Sequence, residues 1–162
     1  MKQIALLFVA IAFAISAEAQ EKNKEFKRSD IEFGLGMTFG ADNNLYNNGG
    51  IGPYLRFEYR YNLKSIPIDL GFQTARSVLK ISSDTDDNNK VDTDFIISNY
   101  HFFKKHNFDL YGGIGAGLVD FDYFGGSVRV GAKMVKHLNL TLEYMLLQQE
   151  DSHAVIALGF FF

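Results

Sequence analysis

Charged side chains recur at every second position in segments that are otherwise apolar. Arg56, Glu58 and Arg60, for example, alternate with Phe57 and Tyr59. Alternate residues of an extended strand point to opposite faces, so the charges would share one face. The predicted inward-facing charges are Glu32, Arg56, Glu58, Arg60, Asp69, Arg129, Lys133 and Glu143. Enclosed in a narrow interior, they must pair, and they would either plug it or, by exchanging partners, form a narrow path for ions.

Residues 84–89 begin like a calcium-binding loop. Asp84, Asp86 and Asn88 would offer closely spaced oxygen atoms to a hard cation. However, Asn89 stands where such a loop has glycine, and Phe95 stands where it has a bidentate glutamate. The sequence therefore favours a mobile acidic loop, and cation binding by Asp84, Asp86 and Asn88 remains a hypothesis.

The histidines and serines do not form a metal or catalytic motif. No two histidines have the H-x-x-x-H spacing of a helical metal site. Ser152 and His153, with Asp151 or Glu150, could in principle supply a nucleophile, a base and a carboxylate. Adjacent residues of an extended chain point apart, so Ser152 and His153 are poorly placed to act on one another. We therefore predict no catalytic residues, no metal and no cofactor.

Eight segments with a period of two can position these side chains. Each has roughly the 9 to 11 residues that cross a membrane at a tilt. In the fourth, Ile96, Tyr100 and Phe102 are placed outward, and a bulge is expected near Arg76 in the third. The connections alternate between long ones at 41–50, 82–94 and 119–126, a moderate one at 148–152, and short ones at 62–65, 104–107 and 136–137. This alternation predicts an all-β, eight-stranded antiparallel up-and-down transmembrane β-barrel with its long loops outside the cell.

Charge and aromatic residues also differ between the two predicted ends of the barrel. The long connections are rich in aspartate, whereas the short ones carry Lys64, Lys104, Lys105 and Lys136. Acidic loops of this kind could bind divalent cations among lipopolysaccharide head groups. Aromatic girdles are predicted from Phe39, Tyr46, Tyr123 and Phe124 at the outer end, and from Tyr59, Tyr61, Phe102, Phe103, Phe160 and Phe162 at the periplasmic end.

The N-terminal residues have the three parts of a secretory signal. Lys2 precedes an apolar run at residues 4–15, and Ala17 to Ala19 form an A-x-A cleavage site. The run is too short to cross a hydrocarbon core of ~30 Å as a helix. We predict a signal peptide at 1–19, a flexible periplasmic lead-in at 20–29 and the barrel domain at 30–162. The absence of cysteine and the net charge of −3 argue against a disulfide framework and against binding nucleic acid.

The end of the chain and several internal strings resemble a known family. Leu158, Phe160 and Phe162 fall on one face of a final strand, which resembles the C-terminal strand of Gram-negative outer-membrane barrels. The strings N-Y-H-F-F from Asn99, Y-G-G-I-G-A-G from Tyr111, V-R-V-G from Val128 and L-T-L-E-Y from Leu140 resemble those of the OmpA/OmpX-like eight-stranded family. The resemblance implies an outer-membrane location and recognition of Leu158, Phe160 and Phe162 by the barrel assembly machinery.

These observations predict a non-enzymatic outer-membrane barrel with a filled polar lumen. It would serve envelope structure or surface interaction through acidic extracellular loops, with outer-membrane lipid and lipopolysaccharide around it. A narrow channel for ions or small solutes is the first alternative. An exported soluble barrel that binds an apolar ligand, as lipocalins do, is the second, and it would turn the apolar rows inward.

Overall fold

The chain forms a single closed barrel of eight antiparallel strands. The computed structural model describes residues 29–40, 51–63, 66–80, 89–105, 108–134, 137–147 and 152–162. Each strand pairs with its neighbours in sequence, and β8 closes the barrel against β1. The strands are β1 (Ser29–Gly40), β2 (Ile51–Asn62), β3 (Ile68–Lys80), β4 (Asn89–Lys105), β5 (Phe108–Val119), β6 (Tyr123–Met134), β7 (Leu138–Leu146) and β8 (His153–Phe161). The predicted fold is confirmed.

The two ends of the barrel differ in what they carry. Ser29 at the start of β1 and Phe161 at the end of β8 lie at the same end as the connections that follow β2, β4 and β6. We call this the turn end and the opposite one the loop end. The predicted signal peptide and lead-in, apart from Ser29, lie outside the described residues, as do Asp84, Asp86 and Asn88.

Burial alternates along every strand, with the apolar row on the outside. Phe33 and Leu35 are 55% and 61% exposed, whereas Glu32 beside them is fully buried. The outward placement of Ile96, Tyr100 and Phe102 agrees with the prediction, because all three are exposed. Exposed apolar rows and buried charged rows suit a barrel surrounded by hydrocarbon. A soluble lipocalin-like barrel needs the opposite orientation, so the structure overturns that alternative.

Two register shifts interrupt the ladder of β4. One lies between Val78 and Lys80 on β3, where β3 pairs with β4. The bulge predicted near Arg76 is therefore present on β3 but lies further along the strand, since Arg76 itself still pairs regularly with Asp92. The other shift lies between His101 and Phe103, at the turn end. Strand β4 also begins at Asn89, so residues 89–94 belong to a strand and not to the predicted connection.

The connection between β5 and β6 is a tight turn and not the long loop predicted at 119–126. Asp120 and Phe121 have φ angles of 51° and 59°, and the Asp122 N–H donates to the Val119 carbonyl at 3.0 Å. Positive φ at both central residues is the geometry of a type I′ hairpin turn, in which Asn-Gly is the usual pair. The prediction was wrong because this turn forms without glycine, so β6 starts at Tyr123.

Most of the predicted girdle residues that the structure describes are exposed at the two ends of the outer surface, whereas Phe39 and Tyr59 are half-buried. Tyr61, Phe102, Phe103, Phe160 and Phe162 are exposed at the turn end, and Phe124 is exposed at the loop end. Tyr123 does not join the outer girdle, because it packs against the buried apolar residues of the interior. Tyr46 lies outside the described residues. No helix in the described part of the chain is long and apolar enough to span a membrane.

Candidate functional site

The barrel interior contains two regions of different chemistry. Charged and amide side chains fill the part from the turn end to the barrel centre, which we call the polar half. Mainly apolar side chains fill the part near the loop end, which we call the apolar half. The structure places all eight charges named from the sequence in the polar half, each with at most 8% of its surface exposed.

Glu32 is the centre of the polar half. Its two carboxylate oxygens accept hydrogen bonds from Arg56 and Arg60, one from each. The Asn139 amide donates to the same carboxylate at 2.8 Å. Hydrogen bonds between charged groups are shorter and stronger than those between neutral groups. Glu32 therefore connects β1 with β2 and β7 across the lumen.

A second carboxylate, Glu58, is the cross-strand partner of Glu32 and lies close to the same two arginines. The Arg60 Nε atom lies 3.1 Å from Glu58, and the Arg56 Nε atom lies 3.6 Å from it. Arg129 on β6 reaches Glu58 across the lumen with a distance of 2.8 Å. Glu143 lies 3.7 Å from Arg56, so three carboxylates surround this guanidinium. The interior charges form one continuous network, not separate pairs.

Neutral side chains complete the network around Arg129. Its Nε atom donates to the Asn99 amide oxygen at 2.8 Å, and its Nη1 atom donates to Gln73 at 3.1 Å. Gln73 in turn donates to Glu143 at 3.2 Å. Because a guanidinium has its donors in a rigid fork, the contacts with Glu58, Asn99 and Gln73 together fix the position of Arg129 in the lumen.

His101 is a member of the network that the sequence analysis did not include. Its Nδ1 atom lies 2.8 Å from Asp109, and its Nε2 atom lies 2.9 Å from Asp69. Lys133 closes the same end through a 3.0 Å contact with Asp30. The sequence could have identified His101. It lies two residues after Asn99 on β4 and so falls on the same inward face, whereas Tyr100 and Phe102 were placed outward.

Glycines on the inward rows make room for the large side chains. The ring of Tyr111 lies directly over Gly131, where any side chain would collide with it. Gly159 likewise lies against the carboxylate of Glu32. An eight-stranded barrel has an interior only wide enough for side chains, so large residues on one strand require small ones opposite.

The apolar half forms a buried cluster at the loop end. Phe95, Ile97, Val119 and Met145 are fully buried there. The other members of the cluster are Tyr54, Ala75, Leu79, Val91, Val155 and Ala157, with Tyr123 and Leu147 packed against it. Tyr54 marks the boundary with the polar half, because its hydroxyl accepts a hydrogen bond from Gln73 at 3.0 Å. The sequence analysis predicted a wholly polar lumen and missed this cluster. Phe95 and Ile97 flank Ile96, which was placed outward, so alternation already placed both of them on the inward face.

The Ser152 and His153 pair considered from the sequence does not form. The Ser152 hydroxyl exchanges hydrogen bonds with the backbone of Leu147 at 2.9 Å. His153 instead contacts the Ser77 hydroxyl at 2.8 Å, and both residues are fully buried within the apolar half. A substrate cannot reach the Ser77 hydroxyl, because Ser77 is fully buried. No group of three metal-binding side chains is found among the residues that the structure describes.

Comparisons with known proteins agree on the fold. No family model matches the sequence, and neither does any curated protein. A de novo designed transmembrane β-barrel matches with a TM-score of 0.53 and 11% identity, over 85% of this chain and 99% of the design. A second designed barrel, TMB2.3, gives a TM-score of 0.50 at 13% identity, with 82% of this chain and 92% of the design covered.

A natural outer-membrane protein has the same fold. The outer-membrane protein Ail of Yersinia pestis, in a phospholipid bilayer nanodisc, matches with a TM-score of 0.52 and 14% identity, over 84% of this chain and all of Ail. This likeness confirms the eight-stranded architecture that the sequence resemblance implied. By its fold and its exposed apolar outer rows, the chain is an eight-stranded antiparallel β-barrel of the transmembrane type.

Proposed function

We propose that this protein is a non-conducting outer-membrane barrel that serves envelope structure or surface interaction through its acidic loop end. The observation that supports the proposal is the filling of the interior in both halves. In the apolar half, an ion would have to lose its hydration among buried side chains such as Phe95 and Met145. In the polar half, the charges that could attract an ion already contact one another. Such a role requires no catalysis.

Conductance in planar lipid bilayers tests this proposal against a narrow channel. We expect the wild-type barrel to show no steady openings. Steady openings that Arg129→Ala alters would contradict the proposal, because they would show that ions pass beside this guanidinium. Gel mobility with and without boiling shows in parallel that each barrel is folded, so an absence of openings cannot be attributed to unfolded protein.

The surface role rests on the acidic residues of the loop end. Asp120 and Asp122 are exposed in the β5–β6 turn, and Asp92 is half-buried beside them. With Asp84 and Asp86, these carboxylates would bind divalent cations between lipopolysaccharide phosphates. Lipopolysaccharide retention by the folded barrel should fall when Asp84→Asn/Asp86→Asn removes two carboxylates, and also when a chelator removes Ca²⁺. Lys90→Gln, on the same hairpin, is the matched control. Retention that neither change lowers would contradict the proposal.

The last strand would carry the signal for assembly. Leu158, Phe160 and Phe162 form an outward row with exposed fractions of 41%, 47% and 66%. Recognition of this row by the barrel assembly machinery predicts that Phe162→Ala lowers the folded, heat-modifiable fraction in cells. Leu140→Ala removes an exposed residue from the neighbouring strand and should leave that fraction unchanged. Equal effects of the two changes would show that lipid contact alone is responsible.

Export through the predicted signal can be tested separately. Cleavage after Ala19 predicts that the mature protein in outer-membrane fractions begins at Gln20. The intact mass of the purified protein measures this directly, and a mass that includes residues 1–19 would contradict the prediction.

A further inference from the structure

We propose that the turn end of the barrel has a binding site for an anionic phospholipid headgroup. The site is the corner where β4 meets β5, formed by Phe102, Phe103, Lys104, Lys105 and Phe108, and we call it the β4–β5 corner. All five residues are exposed. The proposal requires only that the barrel lies in a membrane, and it holds whether or not the lumen conducts.

The bulge in β4 creates an outward aromatic surface at this corner. The pairing with β5 passes from His101 directly to Phe103, so Phe102 is the extra residue. His101 is held on the inner side by Asp69 and Asp109. In a regular strand Phe102 and Phe103 would point to opposite faces, whereas here they are 57% and 41% exposed. Two consecutive phenyl rings therefore face the membrane.

Lys105 lies on this aromatic surface. Its Nζ atom is 5.4 Å from the centre of the Phe103 ring, which is within the range of a cation–π contact. Phe108, the cross-strand partner of Lys105, packs edge-on against Phe103 with ring centres 6.2 Å apart. The rings thus hold the aliphatic stem and ammonium group at the edge of the apolar belt. Lys104 is the cross-strand partner of Asp109, at the rim of the lumen.

The charge of the corner determines which lipid it fits. In the described part of the chain, neither lysine forms an ion pair, and Asp109, the cross-strand partner of Lys104, contacts His101. Aromatic side chains at a membrane boundary lie at the level of the headgroups, and lysine stems extend toward them. An ammonium group at that depth meets the lipid phosphates, and a lipid with net negative charge is favoured about five-fold per lysine. Among the described residues of the loop end, the exposed carboxylates of Asp120 and Asp122 would instead repel an anionic headgroup.

A single tryptophan can test the site, because the chain has none. Phe102→Trp places the reporter at the corner and leaves the contact between Phe103 and Phe108 intact. The folded barrel is placed in phosphatidylcholine vesicles at low salt, and a small fraction of brominated phosphatidylglycerol or brominated phosphatidylcholine is added as quencher. We expect phosphatidylglycerol to occupy the site at least five-fold more favourably than phosphatidylcholine. In the Lys104→Gln/Lys105→Gln background this preference should fall to about one.

Two matched controls separate the site from a general effect of lipid charge. Lys90→Gln removes an exposed lysine from the other end of β4 and should leave the preference at Phe102→Trp unchanged. Phe124→Trp reports from the loop end, where no preference for phosphatidylglycerol is expected. Equal quenching by the two lipids at Phe102→Trp, or a preference that survives loss of both lysines, would overturn the proposal. So would a response of the reporter to inorganic phosphate in pure phosphatidylcholine, since that would indicate a small-anion site.

Discussion

The two halves of the lumen are filled by different physical means, although the same eight strands line both. In the polar half, Glu32, Arg56 and Arg60 are held by directed contacts between charged groups. In the apolar half, residues such as Phe95 and Met145 are held by packing alone. Charge contacts depend on every partner, because a buried charge left alone is strongly unfavourable. Packing depends on volume, and it tolerates substitutions that conserve volume.

Unfilled hydrogen-bonding capacity is concentrated in the polar half. Among the described residues, buried atoms without a hydrogen bond include Arg56 Nη1, Arg129 Nη2 and Glu143 Oε1. Within the described part of the apolar half, such atoms are only the hydroxyls of Thr93 and Ser127. Desolvation therefore opposes folding mainly in the polar half, and the network compensates for it only while it is complete. The comparison predicts that single substitutions there have the larger effects.

The largest effect is expected from Glu32→Ala. This change removes the carboxylate that contacts both Arg56 and Arg60 and leaves two guanidinium groups buried. The free energy of unfolding should fall by about 3–5 kcal/mol, the usual result when one partner of a buried ion pair is lost. Urea titration of the barrel in lipid vesicles measures it. If Glu32→Ala lowered the free energy of unfolding by less than Phe95→Ala does, the proposed difference between the two halves would be contradicted.

In the apolar half, Phe95→Ala should cost about 3 kcal/mol, at the lower end of the range for phenylalanine in a core. The cause is a cavity among Ile97, Val119 and neighbouring side chains, not an unpaired charge. Phe95→Leu should therefore recover most of the loss. No volume-conserving change can do the same at Glu32, so failure of this rescue would indicate that the apolar half also depends on specific contacts.

The period of two in the sequence was sufficient to assign the inner and outer faces but not the contacts within the lumen. Glu32, Arg56 and Arg129 all lie in the interior because alternation is strict on their strands. Which of them touch depends on the register and tilt of the closed barrel, which alternation does not specify. The β5–β6 turn was missed because Asp120 and Phe121 adopt positive φ without glycine. His101 and Phe95 were missed, although alternation along β4 was sufficient to place both on the inward face.

A smaller loss of stability is expected from Gly131→Ala, because this glycine makes room for the large side chain of Tyr111. Gly131→Ala would place a methyl group in the position of the Tyr111 ring. Tyr111 must then move, and with it the hydrogen bond that its hydroxyl accepts from the Asn139 amide and the hydrogen bond between its hydroxyl and that of Thr141. Overpacking of this kind should lower the free energy of unfolding by about 1–3 kcal/mol. Gly112→Ala on the lipid-facing row, where the nearest atoms are 3.8 Å away, is the matched control and should be nearly neutral.

The smallest effect is expected from Arg76→Ala at the loop end, where Asp92, the partner of Arg76, lies against the polar β5–β6 turn. Arg76 and Asp92 form a two-point ion pair with distances of 2.6 and 2.7 Å, a geometry as good as any in the lumen. The side chains are 59% and 39% exposed, however, so solvent screens the attraction and hydrates either partner when it is alone. The loss should be about 0.2–1 kcal/mol and should shrink with added salt, whereas the loss in Glu32→Ala should not. Equal losses at Arg76 and Glu32 would mean that burial does not set the strength of these contacts.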